Sequence, residues 1–242
     1  MIKIDSKIVS LMRKAINDKK MIQDGDRVVV GLSGGKDSTA LLAALANYQR
    51  FAPEKFSLYA ITIDMGFEAL GFYPDLTALK EFVADLGVEY IIEPTQIMDI
   101  VFNIRKEKNP CSLCSKIRRG TLNAVMNKRG FNKLALGHHA DDLMETFLLS
   151  LFYEGRLNTL MPVSFMDQSE VTLIRPFIYV DEKQIAAASK NFPIVNNPCP
   201  SNHRTKREHM KEMIAALQKD NPGARKNIFG ALVNPERNNL WE

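Results

Sequence analysis

Cysteine is scarce in this chain, and the few present are not placed as core residues. There are 3, Cys111, Cys114 and Cys199, an odd count that argues against a disulfide framework. All three sit in polar, proline-bearing strings, NPCSLCSK and NNPCPSNH, where buried structural cysteines seldom lie, so they read as ligands or reactive thiols. Tryptophan occurs once and aromatics make up only 8%. No apolar run approaches the roughly 20 residues needed to cross a bilayer. The charged opening MIKIDSKIVSLMRKAINDKK does not read as a secretory signal, so the expectation is a cytoplasmic protein with no membrane partner. Internal repeats and low-complexity tracts are also missing. Charge excess is small: 32 basic against 28 acidic residues leave +4, which alone does not indicate nucleic acid.

The distribution of that charge says more than its sum. Basic residues gather at Arg105–Lys106–Lys108, Lys116–Arg118–Arg119, Lys128–Arg129, Arg204–Lys206–Arg207 and Arg225–Lys226. Each cluster alone is explained by a solvated helix face. Several flank the cysteines, however, which points to a phosphate-binding surface there.

At 242 residues, 45% hydrophobic and 25% charged, the chain has the composition of a soluble domain large enough for one α/β unit with added helices. Ile8, Leu11, Met12, Ala15 and Ile16 recur at helical spacing and predict an amphipathic helix from about Ser6 to Met21. Buried strands are predicted at Arg27–Leu32, Ser57–Asp64, Val88–Glu93, Asn132–Gly137 and Val171–Pro176. Helices are predicted between them, at TALLAALANYQR, Pro74–Leu86, Cys114–Arg129 and Asp141–Tyr153. Strands this apolar need helices on both faces, so the sheet should be parallel and doubly wound, a Rossmann-like α/β fold. Further helices are expected at Asp181–Lys190, His203–Lys219 and Gly223–Val233. The chain then divides into an N-terminal helix (1–24), a nucleotide-binding α/β unit (25–180) and a C-terminal helical segment (181–242) carrying the third cysteine.

The string Ser33-Gly34-Gly35-Lys36-Asp37-Ser38 follows the first strand and opens a helix. Glycines let the backbone approach an anion, and free N–H groups and the dipole at a helix start favour negative charge. Ser33 and Ser38 add hydroxyl donors and Lys36 neutralises phosphate. Asp37 would repel phosphate unless it holds Mg²⁺ or acts in the chemistry. The string matches neither GxxxxGK[ST] nor GxGxxG. The bland alternative is a serine-capped glycine turn. A second string, Leu136 to Thr146 (LGHHADDLMET), places His138, His139, Asp141 and Asp142 at a strand–helix junction, where they can bind metal, orient a nucleotide or simply favour the helix start.

SGGKDS resembles the PP-loop of the ATP-pyrophosphatase families, and GHHADDLMET is similar to an element of their tRNA-thiolating and lysidine-forming branches. The resemblance spans most of Asp26–Pro176 and implies the adenine nucleotide alpha-hydrolase-like fold. By it, Ser33, Gly34, Gly35, Lys36, Asp37, Ser38, Asp64, Gly137 and Asp142 bind ATP, with Lys36 and Asp37 catalytic. Asp64 can equally be a plain strand-end carboxylate.

The cysteines leave alternatives open on spacing alone. Cys111, Cys114, Cys199 and His203 can complete a zinc tetrahedron, the three thiolates can hold an iron–sulfur cluster, and a CxxC redox pair is a third choice. PCSLC followed by the basic helix SKIRRG resembles the tRNA 2-thiocytidine synthetase family, which implies that Cys111, Cys114 and Cys199 ligate a 4Fe-4S cluster. Where that family carries a second cysteine pair, this chain has Pro198-Cys199-Pro200. The resemblance then implies ATP, Mg²⁺ and adenylation of a base carbonyl, C2 of an anticodon-loop cytidine, followed by replacement of oxygen with sulfur. tRNA would lie over Lys116, Arg118, Arg119, Arg204, Lys206 and Arg207; Arg175, at the end of the fifth strand, can contact substrate phosphate or equally be a plain exposed strand-end arginine. A sulfur donor such as a cysteine desulfurase is a partner, and a homodimer is compatible with the reading. The alternatives are a PP-loop ligase of another type with structural zinc, either lysidine-like or thiolating a different nucleoside or a small molecule, or a non-catalytic metal-containing RNA-binding protein.

Overall fold

The computed structural model describes residues 2, 4–167, 169–196, 198–200 and 206–237, with the backbone only of Arg237. Its six strands are β1 (Arg27–Gly31), β2 (Ser57–Asp64), β3 (Glu89–Pro94), β4 (Lys133–Ala135), β5 (Val163–Met166) and β6 (Val171–Ile174). They form one sheet in the order β3-β2-β1-β4-β6-β5. Every pairing is parallel except that of β5 with β6, so the expected parallel sheet carries an antiparallel edge. The sequence reading missed β5 because its four residues, VSFM, lie half-exposed and lack a clear alternation.

Helices α1 (Ser6–Asp18), α2 (Lys36–Gln49), α3 (Thr77–Asp85), α4 (Pro110–Arg129), α5 (Ala140–Leu149), α6 (Glu182–Ala188), α7 (Lys206–Asp220) and α8 (Ala224–Val233) surround it. The pleat decides what covers each face. Val28 and Val30 point into one core, shared with Ile8 and Met12 of α1, Leu41 and Leu45 of α2 and Leu79 of α3. Val29 points to the opposite core, against Leu122, Val125 and Met126 of α4. Apolar residues on both sides of a strand are the reason β1 is central, and each such side chain fully buried contributes about 1.5–3 kcal/mol. A third cluster, Met144 and Leu148 of α5 with Met210 and Ile214 of α7, docks the tail helices onto the sheet domain.

Two element boundaries shift in ways that concern the site. α4 begins at Pro110, ahead of the expected Cys114, with proline in the first turn where its missing N–H costs nothing. Both CxxC cysteines therefore stand on the first turn of a helix. The stretch Ser150–Glu154 continues α5 as a π-helix. The strand order reverses between β1 and β4, the switch point at which open α/β sheets leave a crevice at the strands' carboxyl ends. No helix among the described residues is long and apolar enough to cross a membrane.

Candidate active site

The glycine loop between β1 and α2 is held closed by its own serines. Ser33 N donates to Ser38 Oγ at 3.1 Å, Ser38 Oγ donates to the Gly35 carbonyl at 3.0 Å, and Gly35 N donates to Ser33 Oγ at 3.3 Å. Gly34 adopts φ +79°, and a Cβ there would stand 2.8 Å from Val195 Cβ. Val195 N also donates to the Gly34 carbonyl at 3.0 Å. The segment leading to Cys199 is thus strapped to the loop by backbone contact.

Lys36 is held by two carboxylates, Asp37 Oδ2 at 3.0 Å and Glu182 Oε1 at 3.2 Å. Burial works against its charge, but these partners outweigh it and raise its pKa. Glu182 also pairs with Lys211 of α7. Burial would push Glu182 up, yet hydrogen bonds from Lys211 and Lys36 and their charges hold it at about 2. Asp37 Oδ1 is buried and, among the described residues, has no hydrogen-bond partner, with His139 Nε2 3.8 Å away. A carboxylate oxygen left in this state beside a phosphate loop fits a divalent cation such as Mg²⁺.

A cavity of about 820 Å³ opens at the switch point. Gly31, Ser33, Gly35, Thr62, Asp64 and Leu136 line it, and so do Cys111, Cys114, Arg118 and Cys199. Cys111, Cys114, Arg118 and Leu122 follow one another at helical spacing, so α4 presents a single stripe to the cavity. Burial pushes the Cys114 thiol up, and the nearby Cys199 and then Cys111 push it the same way, against Arg118. Among the described residues, no three His, Cys, Asp or Glu side chains stand close enough to share one metal ion. A single tetrahedral zinc would need its sulfurs about 3.8 Å apart, given Zn–S bonds of about 2.3 Å. Three thiols lining one cavity are the donor set a cluster takes, with each thiolate on its own iron.

A model of the PP-loop domain family, ATP_bind_3, matches residues 4–216. The tRNA-cytidine(32) 2-sulfurtransferase of Geobacter sulfurreducens is 39% identical over 236 residues, covering 94% of this chain and 89% of that protein. The enzyme of the same description from Shewanella pealeana is 41% identical over 238 residues, covering 97% of this chain and 75% of its own. The chain belongs to the PP-loop family of tRNA-cytidine(32) 2-sulfurtransferases. Membership makes it an ATP-binding enzyme with a PP-loop domain. Among solved structures, the U34-tRNA thiolase NcsA from Methanococcus maripaludis, with its 4Fe-4S cluster, superposes with a TM-score of 0.76 at 24% identity. That match covers 96% of this chain and 78% of the thiolase and shows the shared fold. The NH3-dependent NAD synthetase of Campylobacter jejuni shares it more loosely, with a TM-score of 0.51 at 18% identity.

The expected site residues divide into groups. Ser33, Gly35 and Asp64 line the cavity. Lys36, Asp37 and Ser38 form the head of α2 behind the PP-loop. Gly137 lies off the cavity wall: a Cβ there would meet the Asp37 carbonyl carbon at 2.9 Å and Ser38 N at 3.1 Å, so glycine lets the β4–α5 turn pack against the PP-loop. Asp142 also lies off the wall. It forms a capping box with His139, whose N–H it accepts at 3.0 Å, and pairs with Arg207. Arg207 further donates to Thr146 Oγ1 at 3.1 Å, so this expected RNA contact is engaged within the protein. Arg175 is not an exposed strand-end cation. It is 9% exposed, donating to His138 Nδ1 at 3.1 Å and to the Met161 carbonyl. Burial holds His138 down at about 4, which keeps it a neutral acceptor for that bond. Lys116, Arg118 and Arg119 are exposed along α4, and Lys206 stands 4.3 Å from the Tyr153 ring centroid. Arg204 and His203 lie outside the described residues. Sequence reasoning missed Glu182 and Lys211, whose charges read locally as solvated helix faces and only the fold brings to Lys36.

Proposed function

We propose that this chain adenylates a base carbonyl of tRNA, C2 of an anticodon-loop cytidine, and replaces its oxygen with sulfur by means of a 4Fe-4S cluster. The observation that carries the reading is one cavity walled by both the PP-loop and all three cysteines. An ATP site alone would need no thiols there, and a structural metal would need no PP-loop.

In this reading the loop amides and Lys36 bind the β- and γ-phosphates of ATP, and Asp37 holds Mg²⁺, which screens phosphate charge when bound. The carbonyl oxygen attacks the α-phosphorus, and the bond to pyrophosphate breaks. Positioning and charge stabilisation of the phosphoryl group in flight are the protein's main contribution. Sulfur then forms the new bond to the base carbon, and AMP departs with the former carbonyl oxygen. Cys111, Cys114 and Cys199 hold the cluster, which when bound supplies an iron position free for sulfide. The division into 1–24, 25–180 and 181–242 belongs to the same proposal: the middle unit activates the base, and the tail brings Cys199 and Lys211. Lys116, Arg118, Arg119 and Lys206 offer the exposed positive charge for a cytoplasmic tRNA, and a cysteine desulfurase suits the need for a sulfur donor.

The test is anaerobic purification with iron, sulfide and zinc analysis, then incubation with ATP, tRNA and a sulfide source. About four iron and four sulfide per chain, AMP and pyrophosphate release, and 2-thiocytidine in digested tRNA are expected. Cys199→Ala should lose iron and thiolation while retaining ATP binding. Zinc without iron, or thiolation that survives the substitution, would sink the cluster mechanism.

A further inference from the structure

The cavity is lined at the strand ends by Gly31, Ile63, Asp64 and Leu136 and elsewhere by Phe67, Tyr73, Pro74, Phe102 and Arg118. Tyr73 and Arg118 are exposed and so stand where the cavity opens to solvent. Tyr73 is 81% exposed, the most exposed large apolar side chain among the described residues, although it lines this cavity. The backbone around it is anchored. Phe72 N donates to the Phe67 carbonyl at 3.2 Å, and Met98 N donates to the Met65 carbonyl at 2.9 Å. Asn103 Nδ2 reaches the Ala69 carbonyl at 3.3 Å, and a Cβ on Gly66 would collide with the Thr95 carbonyl at 2.4 Å. The loop that leads to Tyr73 is therefore tied to Phe67 and to the Thr95–Asn103 stretch.

We propose that this opening is a stacking subsite for an unpaired nucleobase of the RNA, with the Tyr73 ring as its platform and Arg118 as the cation facing the nucleotide. The inference rests on the function proposed above and names how its substrate is gripped. Pockets for small ligands enclose most of the ligand surface. A ring left four-fifths in solvent does not enclose one, so adenine of ATP belongs to the inner strand ends and Tyr73 to a macromolecule. Unpaired loop bases are the accessible ones in RNA, and proteins hold them by stacking on aromatic rings and on guanidinium groups. Arg118 is the only cation lining the cavity among the described residues, and it shares the α4 stripe with Cys111 and Cys114. A base stacked at Tyr73 is thereby held beside the cysteines.

The experiment compares wild type, Tyr73→Ala and Tyr73→Phe, each carrying its native iron, for tRNA thiolation kinetics, ATP affinity, iron content and melting temperature. Tyr73→Ala should raise KM for tRNA about tenfold, within the range that loss of one base–aromatic stack produces. Tyr73→Phe should stay near wild type, with ATP affinity and iron unchanged in both variants. Equal weakening of ATP binding would assign the ring to adenine and overturn the subsite, as would an unchanged KM for tRNA in Tyr73→Ala. Absence of thiolation by wild type would overturn the functional reading itself, whereas wild-type turnover with an indifferent variant would overturn this subsite alone.

Discussion

Lys36 illustrates how much of this site depends on a few charges held partly out of water. Its ammonium group lies between Asp37 and Glu182, and Glu182 in turn bridges to Lys211. The depressed pKa of Glu182, about 2 against an ordinary 4.5, links that bridge to acid stability. The ionised folded form is favoured over the ionised unfolded form, so the contribution is complete above about pH 4.5 and is lost as pH falls towards 2. Glu182→Gln should therefore melt lower than wild type at pH 6, and the gap should close as the pH is taken below 4.5. Thermal melts of the two proteins across that window measure it, and a gap independent of pH would show that charge is not what Glu182 contributes.

Among the joints between elements, the one between the glycine loop and the segment leading to Cys199 is the most demanding. Gly34 needs its φ of +79° for the loop, and its missing Cβ is what lets Val195 close in to 2.8 Å of where that atom would stand. Gly34→Ala would incur about 1–2 kcal/mol for a left-handed non-glycine residue and about 1–3 kcal/mol for overpacking. In the proposed reading the same contact serves the ATP phosphates and the segment leading to Cys199, so ATP affinity should fall at least about tenfold, an effect of about 1.4 kcal/mol, and iron content should fall with it. Trimming the neighbour in Gly34→Ala/Val195→Ala should restore part of both. Loss of ATP binding with full iron retention would show that the two functions are not joined through this contact. The π-helix at Ser150–Glu154 is another deviation from regular geometry, and nothing in the structure explains it.

At the scale of the whole molecule, the tail helices are attached to the sheet domain by ionic contacts as well as by the Met144–Met210 cluster. Arg225 of α8 donates through Nε to Asp141 Oδ1 at 3.0 Å and through Nη2 to Asp181 Oδ1 at 2.7 Å, while Glu182 N donates to Asp141 Oδ2 at 2.7 Å. One guanidinium therefore joins the start of α5, the start of α6 and α8. Removing it leaves Asp141 partly buried and short of a partner, at a cost of about 1.5–3 kcal/mol. For a chain of this size, Arg225→Ala should lower the melting temperature by about 3–12 °C. Arg225→Lys should recover less than half, since an ammonium cannot span both carboxylates in the geometry of a planar fork. A melting temperature within a degree of wild type in Arg225→Ala would show that apolar docking alone fixes the tail.

Much of the fold was legible from local pattern, for a physical reason. Helix and strand periodicity and the glycines of a turn are encoded by neighbours in the chain. RVVVGLSGGKDS therefore declared its strand, loop and helix from local pattern alone. β5 escaped because an edge strand of four half-exposed residues carries little pattern of its own. Segments distant in the chain meet only through the free energy of the whole fold. That Val195 packs on Gly34, that Glu182 bridges Lys36 and Lys211, and that Arg175 is buried against His138 were therefore decided by tertiary packing alone. Arg207 shows the same limit in reverse. Within its sequence cluster it is one more exposed cation, and only the approach of α7 to α5 gives it Asp142 as a partner.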